Sequence, residues 1–262
     1  MDETGTYKLI LAYDGTQYGG WQIQPNAPSI QEHLQEALAT ILRHPVIVIG
    51  SGRTDAGVHA HAQVAHFKTP QEMDLGKVRH SLNGLLPPDI RIKTIERTAP
   101  RFHAQHSATG KTYHYHFDLG VVQEPFSRLY ALHVRGKINL DNLVEAIPLF
   151  IGTHDFTSFS NEAHSGSAAK DPVRTIRRLD YFLNGEKLRL EFEGNGFLYK
   201  MVRNIVGTLL EVGHGKKNKE EIPLIFAARD RRSAGQAAPP HGLFLWEVRY
   251  ADTDSFISRS EG

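Results

Sequence analysis

The run SGRTDAGVHA, Ser51 to Ala60, places an aspartate between an arginine and a threonine on one side and a glycine two residues on. Glycines at 52 and 57 let the backbone turn tightly, so the carboxylate of Asp55 can project from a loop instead of packing along an element. A loop carboxylate suits a general acid, a base or a nucleophile. It equally suits an Asx-turn, in which the side chain merely accepts a nearby backbone N–H. The spacing does not choose between them. Arg203, in KMVRNIVG, is a cation on a helical pattern whose Met201, Val202, Ile205, Val206, Leu209 and Leu210 are apolar, which points to a cleft-facing arginine or to the edge of an amphipathic helix. Tyr113, in KTYHYHF, shares one face of an alternating strand with Tyr115 and Phe117, as a core tyrosine would.

Two other chemistries are written in the same residues. Asp55, His59, His61 and His66 fall within twelve residues, and His-x-His on a strand can chelate zinc, as in a metal-dependent hydrolase. With 15 histidines in the chain such proximity arises easily, and no second carboxylate–histidine cluster completes a coordination shell. The aromatic and basic strand Lys111 to Phe117 could belong to an RNA-binding module without catalysis. The glycine–aromatic signature of an RNA-recognition sheet is missing, and such a module leaves Asp55 and Arg203 without a role.

The elements that must position these residues alternate along the chain. Tyr7 to Tyr13 reads as a strand. Ser29 opens a helix with Glu32 in a capping-box position and Ile30, Leu34, Leu38 and Ile41 at helical spacing. Pro45 to Ile49 is β-rich, and Val58 to Val64 alternates as a half-buried strand with His59, His61 and Gln63 outward. A helix fits Leu75 to Leu85, and extended segments fit Asp89 to Ile95 and Lys111 to Asp118. The second half repeats the theme. It offers a helix over Leu140 to Phe150, strands at Val173 to Leu183 and Lys187 to Glu193 about an Asn184-Gly185 turn, a helix over Leu198 to Val212, and a closing strand at Leu243 to Tyr250. The stretch NEAHSGSAAK, Asn161 to Lys170, reads as a mobile loop. These patterns define an α+β protein with largely antiparallel sheets.

With 262 residues, 40% of them hydrophobic, the chain suffices for one large or two small domains. There is no cysteine, which excludes disulfides, thiolate metal sites and cysteine nucleophiles. The N-terminal MDETGTYKLI lacks the basic and apolar regions of a leader, and no run is long enough to span a membrane, so a cytoplasmic protein is expected. Net charge is only +1, but Lys77 to His116 carries seven lysines and arginines and five histidines against Asp89 and Glu96, a bias that could follow a phosphate backbone.

Taken together, YDGTQYGGWQIQ (from Tyr13), SGRTDAGVHA, LNGLLPPDI (from Leu82), GTHDFTSF (from Gly152), GNGFLYKMVRNIVGTLLEVG (from Gly194) and APPHGLFLWEVRY (from Ala238) resemble, in order and over nearly the whole chain, the tRNA pseudouridine synthase A family. The chain departs from the family pattern at Gln105, where arginine is usual, and at GQAAPP, where a threonine-containing run is usual. The resemblance implies a pseudouridine synthase fold: two α/β domains, divided here as 1–125 and 126–262, their sheets joined into one extended sheet with helices outside and an active-site cleft between. It implies a cofactor-independent isomerase, with no metal, that converts uridine to pseudouridine at positions 38, 39 and 40 of the tRNA anticodon stem-loop and works as a homodimer. It assigns Asp55 as catalytic nucleophile or base, and Arg203 as the cation paired with it, which would favour the ionised carboxylate against desolvation. It assigns Tyr113 to stack on the target base and assist proton transfer, and Arg53 to fill the space of the extruded nucleotide or hold its phosphate.

Overall fold

The computed structural model describes residues 4–161 and 171–251, so all of NEAHSGSAAK except Asn161 lies outside the described residues. In chain order the elements are β1 (Gly5–Tyr13), α1 (Ile30–Leu42), β2 (Ile49–Gly50), β3 (His59–Thr69), α2 (Leu75–Leu85), β4 (Ile90–Thr98), β5 (Ala108–Asp118), β6 (Leu132–His133), α3 (Leu140–Ala146), β7 (Gly152–Asp155), β8 (Val173–Asn184), β9 (Lys187–Gly194), α4 (Met201–Gly213), α5 (Ile222–Ala228) and β10 (Leu243–Tyr250). The fold is α+β and its strand pairing is mostly antiparallel. The chain divides into two compact units, Met1–Thr109 with Leu245–Gly262, and Gly110–Phe244.

In the first unit the strand order is β4-β1-β3-β10, with β2 on β3. Tyr7, Leu9, Leu11 and Tyr13 alternate into the core, and β3 answers them across the pair with Phe67, Ala65 and Gln63. Ser29 caps α1 by accepting the Glu32 N–H, and Ile30, Leu34, Leu38 and Leu42 are buried. Residues 45–48 do not form the expected strand, although Val46 and Val48 are buried. Two glutamines of α1 take over the ladder's task, because Gln31 Nε2 donates to Val48 O at 2.8 Å and Val48 N donates to Gln35 Oε1 at 2.9 Å. Strand β3 also departs from simple alternation. His59 and Gln63, expected outward, are buried, since both faces of this inner strand are covered.

In the second unit the order is β5-β9-β8-β7, with β6 parallel to β5. The helix expected over 140–150 is α3 followed by a 3-10 turn at Ile147–Phe150, because Pro148 has no N–H to continue the α ladder. Helix α4 begins at Met201, three residues later than expected, since Lys200 sits in the left-handed region at φ 60°. It buries Met201, Val202, Ile205, Val206, Leu209 and Val212. Helix α5 was not expected from the pattern; its upstream signal is Asn218 and Glu221, which form a reciprocal capping box, with Pro223 next. A cluster of Phe150, Phe156, Phe159 and Phe226 packs with ring centroids 4.8–6.2 Å apart.

Candidate active site

Asp55 stands on a loop held from both sides. Trp21 N donates to Thr54 O at 3.1 Å, Gly57 N to Tyr18 O at 3.3 Å and Val58 N to Asp55 O at 3.1 Å, and Gly20 bridges Asp55. The run YDGTQYGGW is therefore the outer wall of the Asp55 loop. Its glycines permit this approach: a Cβ on Gly15 would lie 2.1 Å from Val58 O, and one on Gly20, at φ +104°, would lie 2.4 Å from Thr54 O. The wall is anchored in turn. Asp14 N donates to Asp89 O at 2.9 Å and the Tyr18 hydroxyl to Asp89 Oδ1 at 2.6 Å, so LPPDI supplies the next layer. Burial, then Asp89, raises the Tyr18 pKa and keeps it a neutral donor.

The Gly57 N–H, which an Asx-turn at Asp55 would draw on, is thus given to Tyr18 O. Asp14 does make such a turn, accepting from Thr16 N at 2.9 Å and from its hydroxyl at 2.5 Å. Asp55 is half-buried and Arg53 is exposed on the same loop. Beneath them lies a polar layer absent from the sequence reading. Thr54 Oγ1 and the Tyr13 hydroxyl are 2.9 Å apart, Gln63 Nε2 donates to Gly52 O at 3.0 Å and toward Tyr13 Oη at 3.4 Å, and Ser51 Oγ donates to Gln63 Oε1 at 2.7 Å. All four side chains are buried, and burial pushes the Tyr13 pKa up to about 12.

The histidines of β3 serve separate partners. His59 Nδ1 accepts Gly15 N–H at 3.0 Å, His61 stacks on Trp246 with centroids 4.2 Å apart, and His66 Nδ1 accepts Ala104 N–H at 3.1 Å. Among the described residues no three His, Asp or Glu side chains gather as a metal-ion group, so the zinc set Asp55, His59, His61 and His66 does not assemble. Gln105 is exposed, and its N–H donates to His103 Nδ1 at 3.2 Å.

The second unit holds Tyr113 and Arg203. Tyr113, on β5 opposite Phe192 of β9, is buried with its ring edge-to-face on Phe197 at 5.1 Å. Two residues before it, burial and then the Arg174 charge push the Lys111 amine down to about 8. Two residues after it, Tyr115 donates to Pro239 O at 2.7 Å, and burial raises its pKa while the Arg203 charge pulls the other way. Arg203 is half-buried; its Nε donates to Ala238 O at 2.7 Å, and its own carbonyl accepts Ala238 N–H at 2.9 Å. Arg203 and Tyr115 thus both fasten on APPHG.

The rest of that strap is pinned by one polar stripe of α4. Asn204 donates to Phe159 O at 2.7 Å and accepts from Arg231 Nη2 at 2.8 Å, Thr208 Oγ1 accepts Gly235 N–H at 2.9 Å, and Glu211 accepts Gln236 N–H at 2.9 Å. At Gly207 a Cβ would lie 1.7 Å from Gln236 O. Positions 204, 207, 208 and 211 share one helix face. The sequence reading followed the apolar positions of this helix and missed Asn204 and Thr208, both fully buried; two polar residues four apart inside an apolar helix were the available signal.

A carboxylate held on a braced loop, as Asp55 is in the first unit, can carry proton-transfer or glycosidic chemistry by its side chain alone. The sequence matches the family described as tRNA pseudouridine synthase over residues 9–107 and 146–251. It is 61% identical over 252 residues to tRNA pseudouridine synthase A 1 of Protochlamydia amoebophila, covering 96% of this chain and 98% of that one. It is 46% identical over 247 residues to tRNA pseudouridine synthase A of an Exiguobacterium strain, covering 94% and 98%. A solved chain in a Cbf5-Nop10-Gar1 complex aligns at 12% identity over 91% of this chain and 57% of that one with a TM-score of 0.37, too distant to carry weight. The chain belongs to the tRNA pseudouridine synthase family. Membership makes it an isomerase that acts on uridine in tRNA.

Proposed function

We propose that the protein isomerises uridine to pseudouridine at positions 38, 39 and 40 of the tRNA anticodon stem-loop, with Asp55 as the essential carboxylate. The observation that carries the proposal is the half-buried Asp55 on a loop whose backbone is bonded by its neighbours, within a motif the family match covers. The carboxylate either attacks C1′ or removes the 2′ proton to give a glycal; both routes break the N1–C1′ bond. The released uracil turns in its pocket, C5 bonds to C1′, and the C5 proton leaves to a positioned base. Substrate and product are isomers, so no cofactor is consumed.

Arg203 takes the role of the cation that pairs with the Asp55 carboxylate. Tyr113 stacks on the extruded base, and Arg53 offsets the loss of stacking, which costs on the order of a few kcal/mol. The working form is a homodimer in the cytoplasm. Two chains pool their basic residues on one tRNA, which suits a net charge of only +1 per chain.

The test is pseudouridine mapping on transcribed tRNA with wild type and Asp55→Asn, in EDTA and without added cofactor. Modification at 38 to 40 by wild type alone, with tRNA binding retained by the variant, is the expected result. Unmodified tRNA with an RNA-binding wild type would instead support a binding module.

A further inference from the structure

We propose that Tyr13 and Gln63 are positioning residues, and that their buried hydrogen-bond relay to Thr54 and Ser51 sets the reactive placement of the Asp55 carboxylate. The inference rests on the reading of Asp55 as the catalytic group. Neither residue touches substrate in this account; both act through the loop.

Gln63 Oε1 accepts Ser51 Oγ at 2.7 Å and Val64 N at 3.2 Å, while its Nε2 donates to Gly52 O at 3.0 Å and Tyr13 Oη at 3.4 Å. These partners fix which end of the amide is nitrogen, since Gly52 O can only accept and Val64 N–H can only donate. Because Tyr13 Oη receives the Gln63 proton, its own hydrogen is free to point to Thr54 Oγ1, 2.9 Å away. Ser51, Gly52 and Thr54 are three of the four residues immediately before Asp55. The relay therefore grips the loop at three points from below, while Tyr18 and Trp21 bind it from the side.

Stability alone does not call for this arrangement. Gln63 has no exposed surface and Tyr13 is 4% exposed, and a phenylalanine and a leucine would fill the same volume without desolvating polar groups. A buried polar network whose members are all satisfied fixes one geometry and rejects neighbouring ones. Here that selectivity is spent directly under the loop that carries the carboxylate. A carboxylate attacking C1′ or the 2′ proton must be held within a fraction of an ångström, and a misplacement of about 1 Å costs roughly a hundredfold in rate.

Tyr13→Phe, Thr54→Val, Thr54→Ser and the double variant Tyr13→Phe/Thr54→Val test the relay with little change of volume. Single-turnover pseudouridine formation and tRNA affinity are measured for each, together with hydrogen exchange at the Trp21 and Val58 amides, which donate to Thr54 O and Asp55 O. Positioning predicts a rate loss of roughly tenfold or more in Tyr13→Phe and in Thr54→Val, with affinity held within about twofold. It predicts a double variant no slower than Tyr13→Phe, which already removes the bond that Thr54→Val breaks together with the one from Gln63 Nε2, and recovery in Thr54→Ser. Exchange at the two amides should speed up in Tyr13→Phe while amides of β4 stay protected. A Tyr13→Phe enzyme within about twofold of wild type with unchanged exchange, or single effects that multiply in the double variant, would overturn the proposal. If wild type forms no pseudouridine, the catalytic reading of Asp55 fails, and unchanged or faster amide exchange alone then decides whether the relay holds the loop.

Discussion

Gly20→Ala separates the cost of an unfavourable backbone from the cost of pushing the Asp55 loop aside. At φ +104° an alanine is strained by about 1–3 kcal/mol. Its methyl would also stand 2.4 Å from Thr54 O and 3.0 Å from the Asp55 carbonyl carbon, both backbone atoms that cannot rotate away. To regain ordinary contact near 3.4 Å the two loops must part by about 1 Å, which breaks the 3.1 Å bond from Trp21 N to Thr54 O. Loss of that bond adds about 1 kcal/mol. The variant should be destabilised by about 2–4 kcal/mol, lowering the apparent Tm by roughly 5–15 °C. Pseudouridine formation at a temperature where it remains folded should fall roughly a hundredfold. Gly136→Ala is the control, because Gly136 also has positive φ, +81°, but a Cβ there meets nothing within 4 Å. It should lose about 1–2 kcal/mol and no activity. Thermal unfolding and single-turnover assays on the two variants read both effects. A Gly20→Ala enzyme as stable and as active as Gly136→Ala would refute the close-packed loops.

Two further outcomes follow from buried polar groups. Asn204→Ala strips Phe159 O and Arg231 Nη2 of their partner at a site with no exposed surface, and should cost about 2–4 kcal/mol by urea unfolding, against under about 1 kcal/mol for an exposed position such as Gln105→Ala. Burial, reinforced by the charges of His103 and Lys68, lowers the His66 pKa from 6.5 to about 4. The unfolded chain then binds a proton that the folded chain refuses, so stability falls as pH drops from 6.5 to 4 and levels off below that, by on the order of 3 kcal/mol in all. His66→Gln, which keeps an acceptor for Ala104 N–H, should flatten that slope in pH-dependent denaturation; an unchanged slope would remove His66 as its source.

What the sequence made legible was the regular part of the molecule. Helix α2 and strand β10 fall where their patterns put them; in α2 the buried Val78 and Leu82 lie four residues apart and Asp74 caps the first turn. The pattern marks Asp55, Tyr113 and Arg203 as candidates with bland alternatives, their roles and that of Arg53 come from the resemblance, and no spacing rule distinguishes Asp55 from the turn-forming Asp14. Gln63 was read as outward because alternation assigns faces without knowing that β3 is an inner strand. The β-rich stretch 45–48 failed for a different reason. Its valines have strand propensity, but α1 presents Gln31 and Gln35 at one turn's spacing and captures the Val48 amide and carbonyl first. In both of these stretches a tertiary partner overrides a local preference, whereas the early end of α3 is local, set by Pro148.

Those misses share a physical cause that bears on function. Catalytic side chains on irregular backbone need that backbone held, yet irregular segments lack a ladder to satisfy their own N–H and C=O groups. Both units meet the need in the same way. In the first, Gln63 and Tyr13 reach from strands to the loop around Asp55, and Gly20 lets a second loop lie against it. In the second, Thr208 and Glu211 reach from α4 to the strap that receives Arg203 and Tyr115, and Gly207 lets the strap lie against the helix. Buried polar residues such as Gln63 and Thr208, and glycines with no room for a methyl, are costly in a core built only for stability. Their concentration beside the one loop carboxylate and the one anchored arginine singled out by the sequence makes preorganisation the economical explanation. On that account the substitutions that most damage the chemistry include Tyr13→Phe and Gly20→Ala, neither of which removes a reacting group.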